Sequence, residues 1–126
     1  MAHGTFGTAI NCMDGRVQEP VTRWLKETYG LDYVDMITEP GPEKVLAEGG
    51  PQTAAFLAKA RISVQAHGSR VLAIVAHDDC AGNPVSPDVH QAQVRQAMEV
   101  LRGWGLHVQV IGLWVDAQWQ VQPVGD

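Results

Sequence analysis

Cysteine is scarce in this sequence. The 126 residues hold only two, Cys12 and Cys80. Two thiols make no disulfide framework, and reduced cysteines in a cytoplasmic protein are the expectation. Positive charge is also in short supply, with 9 Lys and Arg against 14 Asp and Glu and a formal net charge of −5. That balance argues against nonspecific binding to nucleic acid or to anionic membranes. Long hydrophobic runs are missing. The longest uninterrupted one covers residues 71–76, far short of the roughly 18 residues that suggest a membrane span. The opening Met1-Ala2-His3-Gly4-Thr5-Phe6 has no basic stretch followed by an apolar one, so no secretion signal is expected. There is no internal repeat and no long polar linker. A 45% hydrophobic, 18% charged composition is ordinary for a globular chain, and a single domain over residues 1–126 is the expectation.

What is present is an alternation of short apolar runs with helix-like segments. It predicts an α/β fold: a mainly parallel sheet of four strands plus a short C-terminal antiparallel strand, flanked by helices. Strands are expected at residues 8–11, 32–37, 71–76 and 107–114, with the antiparallel one at 119–124. The run 71–76 is apolar throughout, as a central strand covered on both faces should be. Val17, Val21, Trp24, Leu25 and Thr28 recur at helical spacing, and Gly30 is placed to end that helix. Residues 38–50 contain Pro40, Gly41, Pro42, Gly49 and Gly50 and read mostly as loop, with one helical turn at 43–47. A second helix is expected to start at Pro51 and carry Phe56, Leu57, Ala60 and Val64. Ser86-Pro87-Asp88 is an N-cap, a first-turn proline and a first-turn acid. They open a third helix with Val94, Ala97, Met98 and Leu101 inward.

Both cysteines fall just past predicted strands, and His77 precedes Cys80 in His77-Asp78-Asp79-Cys80. In an open α/β sheet, ligand sites gather outside the carboxyl ends of the strands. If strands one and three are neighbours, Cys12, His77 and Cys80 converge there. Two thiolates and an imidazole suit zinc, and three protein ligands leave a fourth position open, as in catalytic zinc sites. Asp14 and Arg16 follow Cys12 at two-residue steps, which in an extended segment places all three on one face. A carboxylate there can orient a zinc-bound hydroxide, and Arg16 can hold it ionised and off the metal.

Cys12-Met13-Asp14-Gly15-Arg16 followed by His77-Asp78-Asp79-Cys80 resembles the Cys-x-Asp-x-Arg and His-x-x-Cys signatures of the β-class carbonic anhydrases. The resemblance runs from about Thr8 to Val124 and includes a late strand ending in an aromatic-x-Asp turn, here Trp114-Val115-Asp116. It implies a zinc ion on Cys12, His77 and Cys80, catalytic roles for Asp14 and Arg16, and Asp14 as a fourth ligand in a closed state. It further implies reversible hydration of carbon dioxide by zinc-bound hydroxide, and a homodimer or larger homo-oligomer. Carbonyl sulfide or carbon disulfide hydrolysis on the same site is the related alternative. The family's Arg-Asn-Ala-Gly segment corresponds to Thr38-Glu39-Pro40-Gly41, where only the glycine matches. The first strand also begins within about eight residues of Met1, without the family's N-terminal helical arm.

Plainer readings stand beside these. A zinc-binding interaction or sensor protein without turnover uses the same ligands, and Cys12 with Cys80 is a redox pair if no metal is held. Asp78 and Asp79 read as loop acids. His67 and His90 read as surface or satisfied helical histidines, with His90 a proton shuttle only if its helix faces the site. Trp24, Trp104, Trp114 and Trp119 read as core or interface residues.

Overall fold

The structure, a computed structural model, describes residues 3–125. Nine elements follow one another: β1 (Phe6–Asn11), α1 (Gly15–Tyr29), β2 (Tyr33–Thr38), α2 (Pro42–Glu48), α3 (Thr53–His67), β3 (Val71–His77), α4 (Pro87–Gly103), β4 (Gln109–Val115) and β5 (Val121–Val124). The sheet runs β2-β1-β3-β4-β5. β1 pairs parallel with β2 and β3, β3 pairs parallel with β4, and β5 alone is antiparallel, opposite residues 112–115. This is the expected α/β architecture.

β3 lies at the centre and every one of its residues is buried. The two-residue period of a strand divides them between two cores. Leu72, Ile74 and Ala76 pack with Leu46, Phe56, Ala60, Val94 and Leu101, under α2, α3 and α4. Val71, Ala73 and Val75 pack with Val17, Val21 and Leu25, under α1. The α4 core approaches β4 so closely that a methyl group on Gly112 would sit 2.6 Å from both Met98 Sδ and Val94 Cγ1.

Local signals place the helix ends. Asp14 caps α1 by accepting the Arg16 N–H at 2.9 Å, and Ser86 caps α4 by accepting the Val89 N–H at 3.4 Å. Gly30 and Gly68 end α1 and α3 in the left-handed conformation. Two sequence expectations shift. The helical turn expected at 43–47 is longer and forms the seven-residue helix α2, with Pro42 at its first turn where no N–H is needed. The helix expected at Pro51 starts at Thr53.

The chain leaves β1 towards β2 on one side, and β3 lies on the other. The carboxyl ends of β1 and β3 therefore form the switch point where such sheets leave a crevice for a ligand.

Candidate metal centre

Cys12 directly follows β1, and several bonds fix its backbone. Its N–H donates to Asn11 Oδ1 at 2.9 Å, and its carbonyl accepts from Gln18 Nε2 at 2.6 Å. Asn11 is buried and donates to the Val17 carbonyl at 3.3 Å, joining the strand end to α1. The extended path expected for Cys12, Asp14 and Arg16 is not what forms. The Asp14 cap turns the chain at once into α1, so Arg16 stands in the first helical turn.

His77 is the last residue of β3 and is buried. Its Nδ1 donates to the Asp78 carbonyl at 2.6 Å, which fixes the tautomer and leaves the Nε2 lone pair free. Asp78 N–H donates to the Val115 carbonyl at 2.9 Å, extending the pairing of β3 with β4. Asp79 then takes φ +57° and reverses the chain. That backbone conformation is uncommon outside glycine, and it turns Cys80 back towards Cys12.

The sulfurs of Cys12 and Cys80 stand 4.0 Å apart. Together with a His77 ring nitrogen, they lie within 4.8 Å of one another, all three residues buried. His77 Nε2 is buried without a hydrogen-bond partner among the described residues. A metal ion is what this donor set fits. Two thiolates each about 2.3 Å from a tetrahedral zinc stand about 3.8 Å apart, and the lone imidazole nitrogen is the ordinary third ligand.

The site is tuned electrostatically. Burial pushes the Cys12 thiol up, but His77 and the backbone N–H groups of Gly41 and Asp14 outweigh it, and its pKa is lowered to about 7. Cys80 goes the other way, raised to about 11 by burial first, then by the negative charges of Cys12 and Glu43. For His77, burial works downward, yet Cys12 and the Asp78 carbonyl raise it overall. The first thiolate thus forms readily and the second needs a cation to neutralise the pair, as a divalent metal does.

Asp14 stands beside this cluster but outside it, with its carboxylate turned to Arg16. Arg16 donates from Nε to Oδ1 at 3.0 Å and from NH2 to Oδ2 at 2.6 Å. Those bonds lower the Asp14 carboxyl to about 2, against the opposing effect of burial, so it is ionised at neutral pH. Arg16 has two further holds. It donates to the Asp79 carboxylate and to the Asp79 carbonyl, each at 3.2 Å. Its guanidinium also lies 4.8 Å over the Trp119 ring, a cation–π contact. Trp119 in turn has its ring centre 6.2 Å from that of His77.

Two of these neighbours escape sequence reasoning. Trp119, read with the other tryptophans as core or interface, packs on Arg16. It takes φ +61° in the turn between β4 and β5, and Asp116 Oδ1 fixes that turn by accepting from Gln118 N–H and Gln120 N–H, both at 3.0 Å. The usable signal was Asp116 itself, which marks a turn at the carboxyl end of β4 beside His77. Asp79, read as a loop acid, is the second carboxylate on Arg16. His90 differs from the shuttle reading, since it is sealed in the core and its Nδ1 lies 2.6 Å from Glu43 Oε2. Position 90 lies one turn before Val94, on the same buried stripe, and that spacing carries the signal.

A mainly parallel α/β sheet with a Cys/His/Cys cluster at its switch point defines a class: an α/β protein whose strand ends carry a donor set that could hold a metal ion. Within that class, the sequence matches over residues 2–125 the family described as "Putative carbonic anhydrase", and the chain belongs to that family. No protein of curated function matches it in sequence. Among solved structures, a carbonic anhydrase from Streptococcus mutans shares the fold with a TM-score of 0.64 at 19% identity, over 99% of this chain and 87% of that one. A tetrameric β-carbonic anhydrase from the filamentous ascomycete Sordaria macrospora gives 0.71 at 13% identity, over 99% and 83%. A carbon disulfide hydrolase gives 0.61 at 13% identity, over 94% and 78%. At these identities the likeness is one of fold.

Proposed function

We propose that this chain is a zinc-dependent enzyme of the carbonic anhydrase type, hydrating carbon dioxide reversibly, with Cys12, His77 and Cys80 as the zinc ligands. The observation that carries this reading is the convergence of those three donors beside an ionised Asp14 that Arg16 holds off them. A purely structural zinc is closed by a fourth protein ligand, whereas here three side chains converge among the described residues. Zinc held there supplies an acidified water for attack and positive charge for the oxyanion that develops.

The chain's own residues do the rest. Ionised Asp14 accepts a hydrogen bond from the attacking water and aims its free lone pair at the substrate carbon. As the new C–O bond forms, one C=O π bond opens onto its oxygen, and the proton that the attacking water gives up passes to buffer in the solvent, leaving bicarbonate. Arg16 keeps Asp14 charged and in place, and Asp79 and Trp119 keep Arg16 in place. Small linear electrophiles are the substrate class, which takes in carbonyl sulfide and carbon disulfide as well as carbon dioxide.

Stopped-flow hydration of carbon dioxide by the zinc-replete protein tests the reading, with the two sulfur substrates run alongside. The expected result is hydration above the buffer rate that disappears when zinc is chelated. Turnover of a sulfur substrate alone would move the activity to that molecule. No turnover of any of the three by fully loaded protein would overturn the enzyme reading in favour of a zinc-binding interaction or sensor protein.

A further inference from the structure

Glu43 is the buried charge that the proposed chemistry does not use. It opens α2, and its carboxylate sits among Asn83 and His90, all three about 1% exposed. Glu43 Oε2 accepts from Asn83 Nδ2 at 3.1 Å and from His90 Nδ1 at 2.6 Å. Asn83 Nδ2 also donates to Gln93 Oε1 at 2.7 Å, and the His90 ring packs 5.4 Å from that of Trp114. A carboxylate taken wholly out of water is costly unless its partners are well placed, and apolar residues often fill such a space as well or better. Its retention here calls for a reason other than packing.

That reason lies in what the partners touch. Asn83 closes the turn after Cys80, donating its backbone N–H to the Cys80 carbonyl at 3.3 Å. Two residues before Glu43, Gly41 takes φ +54°, and a methyl group there would meet Asn83 Cβ at 2.8 Å. The segment leading into α2 and the segment after Cys80 are therefore in direct contact, and Glu43 bonds across them.

We infer that Glu43 is a positioning residue of the metal centre: through Asn83 and His90 it ties the Cys80 turn to α2 and α4, and so sets the Cys80 sulfur. The inference rests on the zinc reading above. Charge and position are separable in Glu43→Gln, which loses the first and keeps an acceptor oxygen. Losing the negative charge would by itself weaken metal binding equally in Glu43→Gln and Glu43→Ala. Removing the clamp loosens it, because outer partners of metal ligands are typically worth about 10–100-fold in affinity.

Zinc affinity is to be measured by chelator competition on the wild type, Glu43→Gln, Glu43→Ala, Asn83→Ala and the double alanine variant. Ligand-field spectra of the cobalt-loaded proteins and denaturant unfolding of the metal-free ones accompany it. The expected result is a fall of about tenfold or more for Glu43→Ala, with a changed cobalt spectrum. Glu43→Gln keeps the acceptor oxygen and stays within about threefold of the wild type. The double variant binds no more weakly than the weaker single one, since Glu43 and Asn83 belong to one clamp. If Glu43→Ala does not fold, Asn83→Ala carries the test by the same fall. Unaltered or tighter zinc binding by folded Glu43→Ala or Asn83→Ala would overturn the inference, as would a loss in Glu43→Gln equal to that in Glu43→Ala. A wild type that takes up no zinc would bring down the zinc reading and this inference together. Wild-type uptake with unchanged variants would bring down the inference alone.

Discussion

Arg16 has three kinds of partner, and each implies a different cost of loss. The two-pronged bond to Asp14 holds that carboxylate away from the sulfurs. The Asp79 bonds and the Trp119 ring hold Arg16 itself. The arginine is half exposed, so these contacts add little to stability and matter through geometry. Asp14→Ala is expected to keep its zinc and lose about 100-fold or more in turnover, the usual range for a hydrogen-bonding group at the reacting atoms. Arg16→Ala frees the carboxylate to move to the metal, and activity should fall with full zinc content. Trp119→Ala leaves both carboxylates on Arg16 and is expected to cost only about two- to tenfold, with Trp119→Phe restoring most of it. Stopped-flow rates normalised to zinc content check all four variants. Unchanged rates in Asp14→Ala and Arg16→Ala would make the pair a helix cap and nothing more.

At the scale of elements, the sheet brings the site together and close packing holds the sheet. Gly112 of β4 shows how close. A methyl group there must displace Val94, a stiff β-branched side chain on α4, as well as the more pliable Met98. Gly112→Ala is therefore expected to destabilise by about 1–3 kcal/mol, read as a lower denaturant midpoint with an unchanged slope. Equal or greater stability would mean that α4 moves aside freely. The elements were readable in the sequence to different degrees. β3 was plain because six consecutive apolar residues leave no solvent face, and α1 and α4 were plain because their stripes and caps agree. Cys12, His77 and Cys80 were readable as a cluster because two short motifs each follow a strand. The first turn of α1 was missed, since a two-residue step reads as extended until the Asp14 side chain caps its own helix. The burial of Glu43 left no trace, because a carboxylate opening a single helical turn in a stretch rich in proline and glycine reads as solvent-facing. Its partners are Asn83 and, on α4, His90, 40 and 47 residues on, and no local pattern encodes those contacts.

At the scale of the whole molecule, β2 ends the sheet and has no strand on its outer edge among the described residues. Tyr33 on β2 and Ile62 on α3 are 52% and 62% exposed near that end. An open strand edge beside exposed apolar side chains invites pairing or needs cover, and symmetric self-association is the common way to supply it. A homodimer or a multiple of one is the expected state. Light scattering coupled to size exclusion at micromolar concentration should give at least twice the chain mass of 13.7 kDa. A monodisperse monomer would contradict this.

One zinc ion per chain, held by Cys12, Cys80 and His77 with a fourth light-atom neighbour, is the metal centre expected here. X-ray absorption at the zinc edge of the loaded wild-type protein tests it most directly. The expected spectrum has two sulfur scatterers at about 2.3 Å and two nitrogen or oxygen scatterers at about 2.0–2.1 Å. A stoichiometric zinc whose shell lacks the two sulfurs, or a protein that takes up no zinc, would contradict it.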